Sequence, residues 1–265
     1  MPLTKNNIFE TITLCLLALS GVFLIGLQFS FGWIFVILGI LSLFLCRKNF
    51  SKDIGLIYLS LIILSISKIN TDISYFHMIE MGSALIAAIA IPYIISKYYY
   101  KQDTIKFPWS MGRKWNKKEI AYILLAGIIA YFLIPFYVKN TGAYLNWNVE
   151  PGISHIARLF IGTNALGIWD ELFFISTVLG VLRKWLPFLW ANILQAILFT
   201  SFLHELGFSG WGFVMIYIFA LLQGIIFKKT ESLAYIITIH LVIDFVLFLA
   251  LIEAHHPTWM PIFLT

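Results

Sequence analysis

The chain has 265 residues, 60% of them hydrophobic and only 12% charged, and its formal net charge is +5. Soluble domains carry about a quarter charged residues, so this composition excludes an ordinary soluble domain and predicts a polytopic integral membrane protein. The apolar runs stay apolar on every side over about 17 or more residues, which excludes a transmembrane β-barrel and predicts helices. Because the basic residues lie between these runs and not on one folded face, the charge does not indicate a nucleic-acid partner.

Nine apolar runs predict an all-α transmembrane helical bundle of about eight or nine spans, of which the third is the weakest. The runs cover residues 8–27, 30–46, 54–69, 78–96, 119–138, 158–182, 187–204, 211–227 and 233–252. The expected divisions are N-terminal transmembrane helices at 1–100, a basic interfacial loop at 101–118, a linking transmembrane helix and loop at 119–157, and a core of four helices at 158–252.

Lysine and arginine residues fall in alternate joints between the runs. They are Lys5, then Arg47 with Lys48 and Lys52, the residues from Lys97 to Lys118, Arg183 with Lys184, and Lys228 with Lys229. By the positive-inside rule these joints face the cytoplasm. The N-terminus is therefore expected in the cytoplasm, and the tail from Glu253 onward on the other side of a prokaryotic cytoplasmic membrane.

Ionisable side chains inside the last four runs are the first sign of function. An ionisable residue within a span costs at least a few kcal/mol, so it needs a partner, a water-filled cavity or a function. The residues concerned are Asp170 and Glu171 in the sixth run, His204 at the end of the seventh, and His240 and Asp244 in the ninth.

The depths of these residues can be counted from the basic joints. Glu171 lies about twelve residues from Arg183, and His240 about twelve from Lys228, so both are expected roughly 18 Å from the cytoplasmic boundary. Asp244 and His204 come out at about 24 Å by the same count. His240 and Asp244 are four residues apart on one helix and therefore share a face. Three helices are thus predicted to bring these side chains into one layer.

The residue types allow more than one chemistry. A carboxylate beside a histidine can take a proton from water, as hydrolysis of an amide requires, and a second histidine can donate to a developing oxyanion. The same side chains could hold a divalent metal such as zinc, with a bound water as the nucleophile. Interhelical hydrogen bonding without catalysis, or a proton relay, is the alternative explanation for such residues.

Three short motifs in order along these helices resemble the CPBP (Abi) family of intramembrane proteases, which includes CAAX-prenyl proteases of type 2 and bacteriocin-processing enzymes. The first motif is two glutamates followed by an arginine, and it is matched by the stretch from Asp170 to Ser176. The second, Phe-x-x-x-His, is matched from Thr200 to His204, and the third, His-x-x-x-Asn or Asp, by His240 and Asp244. The similarity covers roughly residues 158–250, so residues 158–252 are expected to be the catalytic core.

The resemblance implies an intramembrane endopeptidase that cleaves a membrane-associated or prenylated peptide. Carried over by position, it implies that Asp170 and His204 activate water, that Glu171 supports them, and that His240 with Asp244 stabilises the oxyanion. The expected partners are a hydrophobic or lipidated peptide and the lipid bilayer. The cofactor is unknown, either a divalent metal such as zinc or none.

Three positions depart from the family pattern. Asp170 is one methylene shorter than the expected glutamate, Ile175 stands in place of the arginine, and Thr200 stands in place of the phenylalanine, although Phe199 is adjacent. A misplacement of about 1 Å at a reacting group can cost on the order of a hundredfold in rate. These departures favour an alternative in which the protein is a catalytically silent immunity or accessory factor that binds peptides.

Overall fold

The computed structural model describes residues 6–110 and 112–264, and these residues form helices and loops without a β-strand. Lys5, which entered the topology prediction, lies outside them. Nine helices longer than ten residues occur in the described ranges. They are α1 (Asn6–Ser20), α2 (Gly32–Leu43), α3 (Lys48–Leu64), α4 (Tyr75–Ile94), α5 (Lys117–Thr141), α6 (Ile153–Leu182), α7 (Phe188–His204), α8 (Trp211–Thr230) and α9 (Leu233–His255). The predicted all-α class is confirmed, and each of the nine apolar runs corresponds to one of these helices.

Six of the nine helices are long and apolar enough to cross a membrane by themselves: α1 with its continuation, α4, α5, α6, α8 and α9. Helices α2 and α7 are apolar but shorter. The 12 residues of α2 reach only roughly 18 Å at 1.5 Å per residue, less than the hydrocarbon thickness of about 30 Å. Six spans with additional shorter apolar helices are therefore shown, and eight or nine full spans stay a prediction.

Local sequence signals explain several helix ends. Asn116 caps α5 in a reciprocal capping box with Glu119, and Gly142 ends α5 in a left-handed conformation with φ at 70°. Ser74 and Ser232 cap α4 and α9 by accepting a hydrogen bond from the backbone N–H three residues later.

Three helices contain or continue into π-helical turns, in which a backbone carbonyl accepts a hydrogen bond from the N–H five residues later. These turns are Gly21–Gly26 after α1, Ile95–Tyr99 after α4, and Glu171–Leu179 within α6. Such turns occur often at functional sites, because they change the direction in which side chains leave the helix. The stretch in α6 begins at one of the predicted site residues.

The helices pack in two connected groups. Helix α9 packs against α5 and α6, while α7 packs against α8 and against the π-helical end of α1. In the N-terminal half α1 packs on α2 and α3 on α4, and α4 contacts the π-helical part of α6. The sixth helix therefore connects the other helices of the predicted core to the N-terminal helices.

The basic joints meet at one end of the bundle. Lys184 lies 2.7 Å from the buried carboxylate of Asp53, and the Trp185 indole donates to the same carboxylate at 3.0 Å. The start of α9 is tied to the basic loop, since the N–H of Leu233 donates to the carbonyl of Pro108 at 2.7 Å. This grouping supports the alternation of joints on which the topology prediction depends.

Candidate active site

The site is built where α6 changes from α- to π-helical winding. Asp170 ends the α-helical part and Glu171 begins the π-helical stretch. Both side chains are buried, with 2% and 0% of their surface exposed. Although they are adjacent in sequence, the two carboxylates approach opposite edges of one imidazole, that of His240.

Glu171 holds one edge of that imidazole. Its Oε1 lies 2.8 Å from Nδ1 of His240 and accepts a hydrogen bond from Nε2 of Gln223 at 2.7 Å. Gln223 also donates to the carbonyl of Ile236 at 3.2 Å, one turn before His240 on α9. Because a carboxylate only accepts, Nδ1 of His240 carries the hydrogen in this pair, and a neutral ring then has a free lone pair on Nε2.

Two further carboxylates flank the other edge of the ring. Nε2 of His240 lies 3.6 Å from Oδ1 of Asp244 and 4.0 Å from Oδ2 of Asp170. Within the described residues, Oδ1 of Asp170 and Oδ2 of Asp244 are buried without a hydrogen-bond partner. These oxygens are therefore available to accept hydrogen bonds from water or from a substrate.

A glycine makes room for this arrangement. A Cβ atom built at Gly167 would overlap the carboxylate of Asp244 and lie 3.1 Å from Cδ2 of His240. Helices α6 and α9 can approach at this level only because residue 167 has no side chain.

Aromatic rings enclose the imidazole on its remaining sides. Phe219 meets His240 edge-on with ring centroids 5.0 Å apart, and Phe199 lies nearly parallel to it at 6.1 Å. Thr200, which stands at the motif position for phenylalanine, is fully buried and donates its hydroxyl to the carbonyl of Ala196. Phe199, which precedes the motif position, is therefore the phenylalanine that packs on His240.

The structure brings together four of the five predicted residues. His204 is half-buried, and its Nδ1 lies 3.0 Å from the carbonyl oxygen of Gly26 and 3.5 Å from the carboxylate of its neighbour Glu205. Its pairing with Asp170 stays a prediction. Ile175, at the position of the family arginine, is completely buried.

A metal ion would need several donors that converge on one point. Among the described residues, no group of three or more His, Cys, Asp or Glu side chains is arranged to hold a metal ion. His240 offers only Nε2, because Glu171 occupies Nδ1. The residues as arranged therefore do not fit a metal, and the mechanism below contains no step that depends on one.

A large apolar cavity adjoins the carboxylates. It has a volume of about 570 Å³ and is lined by Asp170, His240 and Asp244 together with apolar side chains of α5, α8 and α9. Several of the lining side chains are also exposed on the outside of the bundle, namely Ile129 on α5 and Val214, Ile218 and Leu222 on α8. The cavity is thus accessible from outside the protein between α5 and α8, two of the helices that are long and apolar enough to cross a membrane.

The fold and the site together define a helical membrane protein with a buried cluster of carboxylates and histidine beside an apolar cavity. Residues 152–246 match the model of a protease family described as Type II CAAX prenyl endopeptidase Rce1-like. The matched segment includes all five predicted site residues and Gln223, so the resemblance to the CPBP family is confirmed for this part of the chain. No curated protein and no solved structure matches the chain.

Proposed function

We propose that this protein is an intramembrane endopeptidase that hydrolyses a peptide bond of a membrane-associated or prenylated peptide. The observation that carries the proposal is the setting of His240. Glu171 fixes its Nδ1 at 2.8 Å, while its Nε2 faces an apolar cavity between two carboxylates. A carboxylate on one ring nitrogen and a free second nitrogen is the arrangement that lets histidine act as a general base and then a general acid.

The proposed reaction follows from these contacts. Nε2 of His240 takes a proton from a water molecule as the water oxygen attacks the carbonyl carbon of the substrate. The surrounding carboxylates stabilise the resulting imidazolium, which then gives its proton to the amide nitrogen as the peptide bond breaks. The products are an amine and a carboxylic acid, and the acid then loses its proton to the amine or to water. Asp170 and Asp244 each have an oxygen that can hold the attacking water.

The cavity supports a hydrophobic substrate. Ligand pockets commonly have volumes of about 300–1,000 Å³, and this one falls within that range at about 570 Å³. Apart from the reacting groups, its walls are almost entirely aliphatic and aromatic. An isoprenoid chain or an apolar peptide segment could reach the carboxylates through the opening between α5 and α8 without crossing a polar surface.

A silent peptide-binding protein of the same fold is the second candidate, and two observations favour it. The closest carboxylate oxygen of Asp170 is 4.0 Å from Nε2 of His240, too far for a hydrogen bond. Ile175 leaves the carboxylates without the cation that the family motif supplies. Such a protein would bind apolar peptides in the same cavity and release them uncut.

The deciding experiment uses purified protein in lipid nanodiscs with matched prenylated and unprenylated peptides, analysed by mass spectrometry. Wild type is compared with His240→Gln and with His256→Gln, a control in a histidine whose ring contacts the backbone of Val149. Cleavage by wild type and the control, but not by His240→Gln, is the expected result. Peptide binding without cleavage by wild type would contradict the proposal and support the silent protein. Repeating the assay with a chelator tests whether a metal takes part.

A further inference from the structure

A second cavity lies beside the candidate active site, on an adjacent face of α6. It has a volume of about 210 Å³ and lies between α4 and the first half of α6. Its lining changes in character along its length. The polar residues Asn70, Thr71, Asp72 and His77 lie at one end, and Met81, Leu85, Ile86 and Trp169 lie at the other.

His77 is the unusual member of this lining. Only 7% of its surface is exposed, and its Nε2 is buried without a hydrogen-bond partner among the described residues. Its Nδ1 lies 3.9 Å from the carboxylate of Glu80. Buried polar atoms are nearly always hydrogen-bonded, so an unpaired ring nitrogen in a cavity wall indicates that a ligand group meets it there.

The geometry defines the shape of that ligand. His77 lies in the first turn of α4, and Leu85 follows eight residues later, which is about 12 Å farther along the helix axis. Met81 and Leu85 lie on the same face as His77, because residues four apart stack on a helix. A molecule in this cavity would therefore have a polar group near the start of α4 and a chain running along the helix towards Leu85.

The charges define its chemistry. No lysine or arginine lines the cavity, and the acidic Asp72 lies at its polar end, so an anionic headgroup is disfavoured. At 3.9 Å the carboxylate of Glu80 is too far from Nδ1 of His77 for a hydrogen bond that would fix the ring tautomer, so the partner of Nε2 must be able either to donate or to accept. A neutral hydroxyl fits this requirement.

We propose that this second cavity binds one chain of a neutral lipid that carries a free hydroxyl group, with the hydroxyl hydrogen-bonded to Nε2 of His77. The inference does not depend on protease activity. The bound chain would nevertheless lie next to the active site, because Trp147 and Leu166 line both cavities and Trp169 precedes Asp170.

The readout is tryptophan fluorescence, which bromine quenches at short range; of the nine tryptophans, Trp147 and Trp169 line the cavity and are quenched by a probe bound there. The probes are 8-bromooctan-1-ol, 1-bromooctane, which lacks the hydroxyl, and 8-bromooctanoate, which carries a charge. Each is titrated into the full-length protein in nanodiscs. We expect saturable quenching by the alcohol, with a Kd at least fivefold below those of the other two probes.

Three variants test the assignment. His77→Phe removes the ring nitrogen that meets the hydroxyl and is expected to raise the Kd of the alcohol about tenfold while leaving that of bromooctane unchanged. Gly82→Leu should abolish saturable quenching, because a Cβ at Gly82 meets no atom within 4 Å and the leucine can extend into the cavity. Gly180→Leu is the control, since residue 180 is equally open but lies outside this cavity. Equal affinity for all three probes, or unchanged affinity in folded His77→Phe, would overturn the proposal.

Discussion

Gln223 and Gln195 offer a matched test of how the active site is held. Both amides are fully buried. Gln223 donates to the carboxylate that orients His240, whereas Gln195 donates to Asn192 and to the carbonyl of Ala220 between α7 and α8. A hydrogen bond to a charged group contributes about 1.5–3 kcal/mol. If the hydrogen bond from Gln223 to Glu171 keeps His240 in position for the reaction, its loss lowers the rate by on the order of 10–100-fold.

Gln223→Met is therefore expected to lower kcat by that factor with little change in KM, because its partner Glu171 loses a donor and no longer fixes the ring of His240. Gln195→Met should lower the melting temperature to a similar extent but keep kcat. Peptide cleavage and thermal unfolding of both variants in nanodiscs measure the difference. Equal kcat values in the two variants would show that Gln223 has only a packing role.

Gly167 and Gly180 form a second pair, both on α6. Alanine generally stabilises a helix relative to glycine by about 0.5–1 kcal/mol. Gly180→Ala should follow this rule, because its Cβ meets no atom within 4 Å. Gly167→Ala should lower both stability and activity, since the new methyl overlaps the carboxylate of Asp244. Denaturation curves and cleavage rates check both variants, and a fully active Gly167→Ala would refute the close approach of α6 and α9.

His204 tests the part of the site that resemblance alone implies. If His204, and not His240, activates water together with Asp170, His204→Ala should abolish proteolysis while the protein remains folded and membrane-inserted. Glu205→Gln is the control, because Glu205 is its neighbour in the chain and lies 3.5 Å from its ring. Full activity of His204→Ala would limit the role of this histidine to its contact with the carbonyl of Gly26.

Residue positions along the helices could be predicted better than directions around them. Counting from the basic joints placed Glu171 and His240 at one depth, and they are hydrogen-bonded. The spacing of His240 and Asp244 also predicted their contact. The same count placed His204 in this layer, but a count gives depth and not the direction of a side chain, and the ring of His204 contacts the end of α1. Gln223 carries no charge, so its role could not be recognised from the cost of burial.

At the scale of elements, the start of α3 shows why helix boundaries differ from hydrophobic runs. The predicted run begins at residue 54, whereas α3 begins at Lys48. The additional turn includes Asp53, which is fully buried because Lys184, Trp185 and Thr104 surround its carboxylate. A hydropathy count leaves a charged residue such as Asp53 out of a span, because the count contains no information on partners such as Lys184 and Trp185, more than a hundred residues away in the chain. The π-helical stretch in α6 likewise has no composition that distinguishes it from an α-helix.

The same ion pair gives a prediction about how α3 is joined to the end of α6. The side chain of Asp53 is 0% exposed and that of Lys184 is 40% exposed. Removing the lysine leaves a buried unpaired carboxylate, a change that costs about 3–5 kcal/mol. Removing the carboxylate leaves a lysine that can turn towards water. Lys184→Met should therefore destabilise the protein more than Asp53→Leu does, as measured by thermal unfolding in detergent. The reverse order would show that the packing around residue 53 outweighs the charge.

At the scale of the molecule, the N-terminal helices and the C-terminal tail pack against the segment that matches the family model. The tail folds back on the bundle, where Glu253 accepts from the backbone N–H groups of Ile262 and Phe263 and pairs with Lys139 at 2.9 Å. Helix α4 forms the outer wall of the second cavity. The N-terminal helices therefore line a cavity as well as pack against the core, although they lie outside the family match.

The orientation of the whole bundle in the membrane is a further prediction. The basic joints lie together at one end and are expected in the cytoplasm, because positively charged loops are retained there. In a background with Cys15 and Cys46 replaced by alanine, Lys229→Cys and Thr258→Cys place single exposed thiols at the two ends. A membrane-impermeant maleimide should label the thiol at position 258 in intact spheroplasts and the thiol at 229 only after permeabilisation. The opposite pattern would show that the protein has the opposite orientation in the membrane. Labelling of both thiols in intact spheroplasts would mean that α9 does not cross the membrane.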